Sequence, residues 1–319
     1  MTEVRFSVVI PLYNKERYID RAVQSVLNQT VDSWELIIVD DGSTDKSVEC
    51  VSKYINNKIH LIQQKNLGPA VARNVGITSA VGDFVAFLDA DDYWNCDFLD
   101  TIVKLIVMFP NAGMYGTARA VYSDEKFLWD VTWKPELGNR ILPSYFQDTI
   151  EAQYTIINMS SSVMPKKVLS YIGMFSEMYR SGQDLDIFGK IALHYPIAYS
   201  PKICTYYTSA AENNMDRSKI VRYVPLTFYL DSFSDEEKRK QLSRIDLVAY
   251  LDYYNLKIGA HNIYIGFRDI GRKQLLEVKS QKYNLKKYIF ILLSYIPIPL
   301  SCVSGRFARK IGKKLKLAG

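Results

Sequence analysis

Four short runs of strand-forming residues, at 6–10, 34–39, 59–62 and 84–88, recur through the N-terminal third of the chain, and each stops abruptly at a polar cluster. The intervals between them carry helical spacing. Ile19, Ala22, Val23, Val26 and Leu27 mark one apolar stripe, with Lys15, Arg17, Asp20 and Gln24 turned outward, and 70–78 forms a second helix. Strand and helix alternating at this pace predict an α/β layer with a mostly parallel central sheet flanked by helices. Pro11 should end the first strand, since proline cannot continue the ladder. Asn14 is placed to cap the helix after it.

In such sheets ligands collect beyond the carboxyl ends of the strands. The clusters Tyr13 with Asn14, Asp40 with Asp41, Lys65 with Asn66, and Asp89 with Asp91 all fall there. The last is the sharpest, because the apolar run FVAFL leads straight into Asp89, Asp91 and Asp92. Gathered carboxylates repel, and a divalent cation such as Mg²⁺ or Mn²⁺, which prefers hard oxygen ligands, would share the cost. Taken alone, the same residues also suit a solvated turn. Asp92 is expected to cap the helix starting near Cys96 or to hold the acidic loop.

Other chemistries lack their signatures. No Gly-x-Gly-x-x-Gly follows the first strand, and no Gly-rich loop ends in Lys-Ser/Thr. Cys50, Cys96, Cys204 and Cys302 are far apart and without metal-ligand spacing, which favours a reducing compartment. His60, His194 and His261 are scattered, so a general base is expected to be a carboxylate. The N-terminus shows no basic region followed by a long apolar segment, and no leader is expected. With 319 residues, 48% of them apolar, the chain can bury a large core.

Further along, 113–119 reads as a strand. The less regular 120–155 reads as binding loops, with Trp94, Trp129 and Trp133 as candidate stacking platforms for a ligand or as ordinary packing residues. A strand is expected within 154–164. A helix should start near Gly182 or Gln183 with Leu185, Phe188, Ile191 and Ala192 buried, which puts Asp184 in its first turn, where the helix dipole favours an anion. From 221 to 278 the pattern is helical, an appendage or the surface of a homodimer. The net charge of +6 is concentrated from Lys286 onward, without the interleaved basic and aromatic pattern of nucleic-acid recognition. The apolar stretch 288–300 is flanked by Lys286 and Lys287 and by Arg306, Arg309, Lys310, Lys313, Lys314 and Lys316. It is too short to span a bilayer, so 286–319 suits either an anionic membrane surface or a buried helix with a solvated basic end.

The motifs SVVIPLYNKERYI, ELIIVDDGSTDKS, NLGPAVARNVGI and GDFVAFLDADD, in this order, with GQDLDIFGK later, resemble the inverting glycosyltransferases of family 2. The resemblance covers roughly 4–210. It implies a GT-A (nucleotide-diphospho-sugar transferase) fold with a helical C-terminal extension. Residues 1–220 would be the catalytic domain, with 1–110 as the nucleotide-sugar half and 111–220 as the acceptor half, and 221–319 the helical region. It implies that Pro11 and Tyr13 line the base pocket and that Asp41 accepts a hydrogen bond from the base, most often uracil, while Asp40 shapes the turn. Lys65 joins the nucleotide-binding candidates through its place at the sheet edge. Arg73 would sit near the diphosphate, Asp89 near the ribose or the metal, and Asp91 on Mn²⁺ or Mg²⁺. Asp184 would be the general base.

The chain departs from the family pattern at Gln183, where Glu is usual, at Lys190, where Arg is common, and at 206–209, where a basic Arg-x-His is replaced by Tyr206, Tyr207, Thr208 and Ser209. Lys202, Arg217 and Lys219 are candidate substitutes. The Gln-x-x-Arg-Trp signature of processive synthases is absent, so one sugar per encounter is expected. The resemblance implies transfer from a nucleoside-diphosphate sugar, UDP-linked, to a saccharide or lipid-linked saccharide. The expected location is cytoplasmic, on the inner face of a bacterial plasma membrane. The alternatives are transfer to a polyprenyl phosphate and an inactive nucleotide-sugar-binding scaffold.

Overall fold

The structure, a computed structural model, describes residues 4–123, 126–209 and 220–295. Its elements run β1 (Phe6–Leu12), α1 (Ile19–Leu27), β2 (Trp34–Asp40), α2 (Ser47–Ser52), β3 (Ile59–Gln63), α3 (Pro69–Ser79), β4 (Phe84–Phe87), β5 (Tyr93–Trp94) and α4 (Phe98–Met108). There follow β6 (Met114–Ser123), β7 (Lys126–Val131), β8 (Arg140–Ile141), α5 (Tyr145–Ala152), β9 (Ser162–Pro165), α6 (Lys166–Ile172), α7 (Gln183–His194) and β10 (Ile197–Thr208). The last five are α8 (Thr227–Asp231), α9 (Asp235–Leu242), α10 (Ile245–Tyr264), α11 (Arg268–Leu276) and α12 (Asn284–Leu293). The chain divides into two compact units, one of Met1–Pro143, Thr155–Glu177 and Lys190–Met215, the other of Ser144–Tyr154, Met178–Gly189 and Asp216–Gly319.

The first unit holds a single mixed sheet flanked by helices, in the order β3-β2-β1-β4-β9-β6-β10-β5, with β7 on β6 and β8 on β10. Its first half is parallel: β1 pairs with β2 and β4, and β2 with β3. Beyond β4 the sheet turns mixed, because β9 enters antiparallel between β4 and β6, and β7 folds back on β6 as a hairpin. The central strands are buried on both faces, with Val8, Val9, Ile10, Ile38 and Val39 closed to solvent. That is why they read as continuous apolar runs rather than as alternation. Amphipathic α1 covers the sheet with Ile19, Ala22, Val23 and Val26. Helix α3 can lie close to β1 because position 76 is glycine; a Cβ there would stand 2.4 Å from Val9 Cγ1.

Two expectations at this edge need correcting. Pro11 does not end β1: it continues in register opposite Val39. Val9 O accepts from Leu88 N while Leu12 O accepts from Asp41 N, so the proline nitrogen faces the β4 side, past the last residue paired there. The missing N–H therefore costs no ladder bond. Asn14 does not cap α1, whose first turn has no side-chain cap. It adopts a left-handed φ of 51°, accepts from Thr44 N at 2.7 Å and so ties the loop after β1 to the loop after β2.

The region 120–155 is more ordered than expected. β6 extends to Ser123 and pairs with β7, and α5 is capped by Ser144. Trp94 is a core residue: its ring stacks on Phe98 at 4.2 Å and its Nε1 donates to Ser160 O. It is therefore closed to a sugar, whereas Trp129 on β7 is exposed.

The second unit is helical. Tyr145, Phe146, Tyr250 and Tyr254 pack ring against ring between α5 and α10. Glycines let α10 and α11 approach, since a Cβ at Gly271 would meet Gly259 O at 2.6 Å. Leu256, Ile263, Leu275 and Val278 form a small core on which Phe290 and Ile291 of α12 rest. No helix among the described residues is long and apolar enough to cross a membrane. Residues 296–319 lie outside the described residues, as do Arg217 and Lys219.

Candidate functional site

The carboxyl ends of β1 to β4 meet along one rim of the sheet. From β1 the chain steps outward through β2 and β3, then returns to place β4 on the other side of β1. The strand order thus reverses between β1 and β4, and it is at such a switch point that an open α/β sheet leaves a crevice.

Around that point the side chains are specific. Tyr13 stands exposed just after β1, with half-buried Pro11 at the strand's end. Asp41 is buried, and its carboxylate binds the loop leading to α3: Oδ1 accepts from Gln64 Nε2 at 2.7 Å and Leu67 N at 2.8 Å, and Oδ2 from Gly68 N at 2.8 Å. A carboxylate offers about four acceptor sites, so these three bonds leave one for a further donor. Gly68, at φ 96°, supplies the backbone turn that brings its N–H inward. Asp40 accepts from Ser43 N and shapes the turn, as expected. Lys65 is exposed on the loop after β3.

After β4 the acidic loop is held by cations and hydroxyls. Arg73, buried in α3, donates to Asp89 at 2.7 Å, with its guanidinium over the Phe175 ring. Lys15 Nζ lies 2.9 Å from Asp91 Oδ2. Burial pushes the Asp91 carboxyl above its ordinary value, and the Asp89 charge adds to this, against the pull of Lys15. Asp92 is fully buried, accepting from Ser160 Oγ and from Thr208 N at 2.8 Å. Burial first, then the charges of Asp91 and Asp89, hold its carboxyl well above the usual range. Asp92 therefore anchors the loop, and Asp97, not Asp92, precedes α4. Arg21 closes the arrangement from α1, donating to Asp91 O at 3.1 Å and Thr208 Oγ1 at 3.0 Å while its guanidinium sits 4.3 Å from the Tyr93 ring centre.

Among the described residues no group of three or more His, Cys, Asp or Glu converges to hold a metal ion unaided. The donor chemistry nonetheless fits a hard divalent cation. Asp89 and Asp91 offer carboxylate oxygens, and burial and mutual repulsion already raise the Asp91 carboxyl, so added positive charge would be stabilising there.

Asp184 belongs to the second unit and lies half-buried in the first turn of α7. Gly182, at φ 86°, precedes the helix. Gln183 is buried and donates to Tyr179 O at 2.8 Å, and Asp186 accepts from Leu226 N. One turn beyond Asp184, Phe188 meets the edge of Tyr145. After burial, the Asp184 charge is among the causes that keep the Tyr145, Tyr250 and Tyr254 phenols raised and protonated. Lys190 is buried, with its Nζ 3.3 Å from Met174 O. Lys202, a candidate substitute cation, pairs instead with Asp97.

Residues 7–170 match the model of glycosyl transferase family 2. The chain belongs to this family. Among its family 2 relatives, the amylovoran biosynthesis glycosyltransferase AmsB of Erwinia amylovora is 30% identical over 266 residues, covering 79% of this chain and 84% of that protein. An uncharacterized glycosyltransferase of Rickettsia conorii is 27% identical over 300 residues, 93% of this chain but 45% of the relative. This family 2 chain thus spans less than half the length of several curated proteins it matches. In fold it is similar to S. aureus TarS 1–349 crystallised with UDP, at a TM-score of 0.60 and 20% identity over 92% of this chain and 89% of that one.

Lys15, Arg21, Gln64, Ser160 and Thr208 were not singled out from sequence as parts of this rim. Lys15 stands inside the motif PLYNKERY and was within reach of a closer reading. Ser160 and Thr208 carry no local signal, since they matter only through Asp92, 68 and 116 residues away in sequence.

Proposed function

We propose that this chain transfers a sugar from a nucleoside-diphosphate sugar, UDP-linked, to a hydroxyl of a saccharide or lipid-linked saccharide, with inversion at the anomeric carbon. The observation that carries it is the gathering of Tyr13, Asp41, Arg73, Asp89 and Asp91 on one sheet rim in a family 2 chain. Pro11 and Tyr13 supply an apolar and aromatic face for the base, and the remaining acceptor site of Asp41 suits a pyrimidine N–H. Lys65 and Arg73 are the cations assigned to the nucleotide. Asp89 and Asp91 would hold Mn²⁺ or Mg²⁺, which when bound neutralises charge on the departing diphosphate.

Asp184 removes the acceptor proton as the oxygen attacks. It lies in the first turn of α7, at the end of the helix where the dipole favours an anion. Gln183 is occupied in fixing the turn before the helix, so the usual second carboxylate is replaced by a structural contact. The names of relatives, AmsB for amylovoran biosynthesis and TuaG of Bacillus subtilis for teichuronic acid biosynthesis, support a bacterial polysaccharide as product, and the basic charge from Lys286 onward supports action on the cytoplasmic membrane face.

Calorimetry with a panel of nucleotides and nucleotide sugars, with and without Mn²⁺, tests the donor assignment on wild type and Asp91→Ala. Metal-dependent binding of one uridine diphosphate sugar, lost in the variant, is the expected result. Unchanged metal-dependent binding in Asp91→Ala would sink it. A scaffold role would instead show as nucleotide binding with no turnover on any acceptor, saccharide or polyprenyl phosphate.

A further inference from the structure

Helix α12 is apolar on two faces. One face sends Phe290 and Ile291 into the small core of the second unit. The other bears Leu285, Tyr288, Leu292 and Tyr295, exposed by 76%, 56%, 69% and 68%. Their spacing of three, four and three residues sets them in one row along the helix and the turn that ends it. Single exposed apolar side chains are ordinary, but four in a row ask for a cover.

The charge around the row says which cover. No Asp or Glu follows Glu277 in the sequence, while Lys279, Lys282 and Lys286 lie on or just before α12, where Lys287 instead donates to Val278 O at 2.7 Å. The segment beyond it adds only Arg and Lys. A second copy of the chain would bring lysines against lysines, and the chain's own 296–319 has no acid to neutralise them. An anionic lipid surface meets both needs, taking the apolar row among acyl chains and the ammonium groups at its phosphates. Tyr288 and Tyr295 suit that depth, where an aromatic body is buried and a hydroxyl stays wet.

We propose that the exposed row of α12 is a membrane-docking face that lies in the plane of an anionic bilayer. It deepens the reading of an enzyme acting at the membrane, and it can fail without that enzyme chemistry failing. The test is sedimentation of the full chain with phosphatidylglycerol-containing and with pure phosphatidylcholine vesicles, for wild type and for Leu285→Ser/Leu292→Ser. Both leucines are exposed, so the variant should keep its melting temperature and its nucleotide binding.

The expected result is binding to the anionic vesicles only, weakened about tenfold or more in the variant. Equal binding by variant and wild type overturns the proposal, as does equal binding to neutral vesicles or none to either. Light scattering supplies the last arm. A wild-type dimer that the variant breaks would make a second copy the occupant, and would also overturn it.

Discussion

Asp41 and Asp184 place opposite demands on a carboxylate. Asp41 has three protein donors fixed on it, whereas Asp184, as the proposed general base, would take up a proton and let it go. Asp184→Asn should therefore lower kcat by about 10²- to 10⁴-fold while leaving donor affinity intact, which single-turnover kinetics beside nucleotide titration would check. Asp41→Asn should do the reverse. It puts an amide donor against Leu67 N–H or Gly68 N–H, loosens the loop before α3, and should weaken nucleotide binding by about tenfold or more. Unaltered binding by that variant would remove Asp41 from the base pocket.

The strands and helices of the parallel half were legible because each carries its own period: buried runs for β1 and β2, a 3.6-residue stripe for α1. What escaped notice depends on distant partners. Pro11 fits inside β1 only because β4 stops pairing at Val9, and β8 exists only through β10. The same holds at the site, where the acidic loop was visible but the Ser160 and Thr208 bonds that bury Asp92 were not. Packing between elements sets the next prediction. Gly76→Ala would force α3 off Val9, and overpacking of this kind costs about 1–3 kcal/mol, measurable by urea unfolding.

A milder effect is expected where α10 begins. Burial alone would raise the Asp246 carboxyl, but Arg244 and the Ser144 hydroxyl hold it below the ordinary value. A depressed folded-state value adds stability above the unfolded pKa and loses it as pH falls. Asp246→Asn should thus be the less stable protein at neutral pH, by under about 1 kcal/mol because the half-buried pair is still screened by solvent, and should approach wild type as pH falls through the depressed folded-state value. Thermal melts across pH would show the two curves converging.

For the whole molecule, nucleotide occupancy should appear as stability. A ligand at about 100 times its Kd adds about 2.7 kcal/mol, so a melting scan with UDP and Mn²⁺ should shift the transition upward, and Asp91→Ala should remove the shift. The acid-free stretch that carries α12 has one more consequence. Ten of the 40 lysines and arginines lie beyond Glu277 and none of the 34 acids does, so the chain up to that residue has a net charge of −4 against +6 for the whole. A single proteolytic nick there would reverse the sign of the larger fragment. The intact protein, with an isoelectric point near 8.9, should be retained on a cation exchanger at neutral pH, and its clipped form on an anion exchanger.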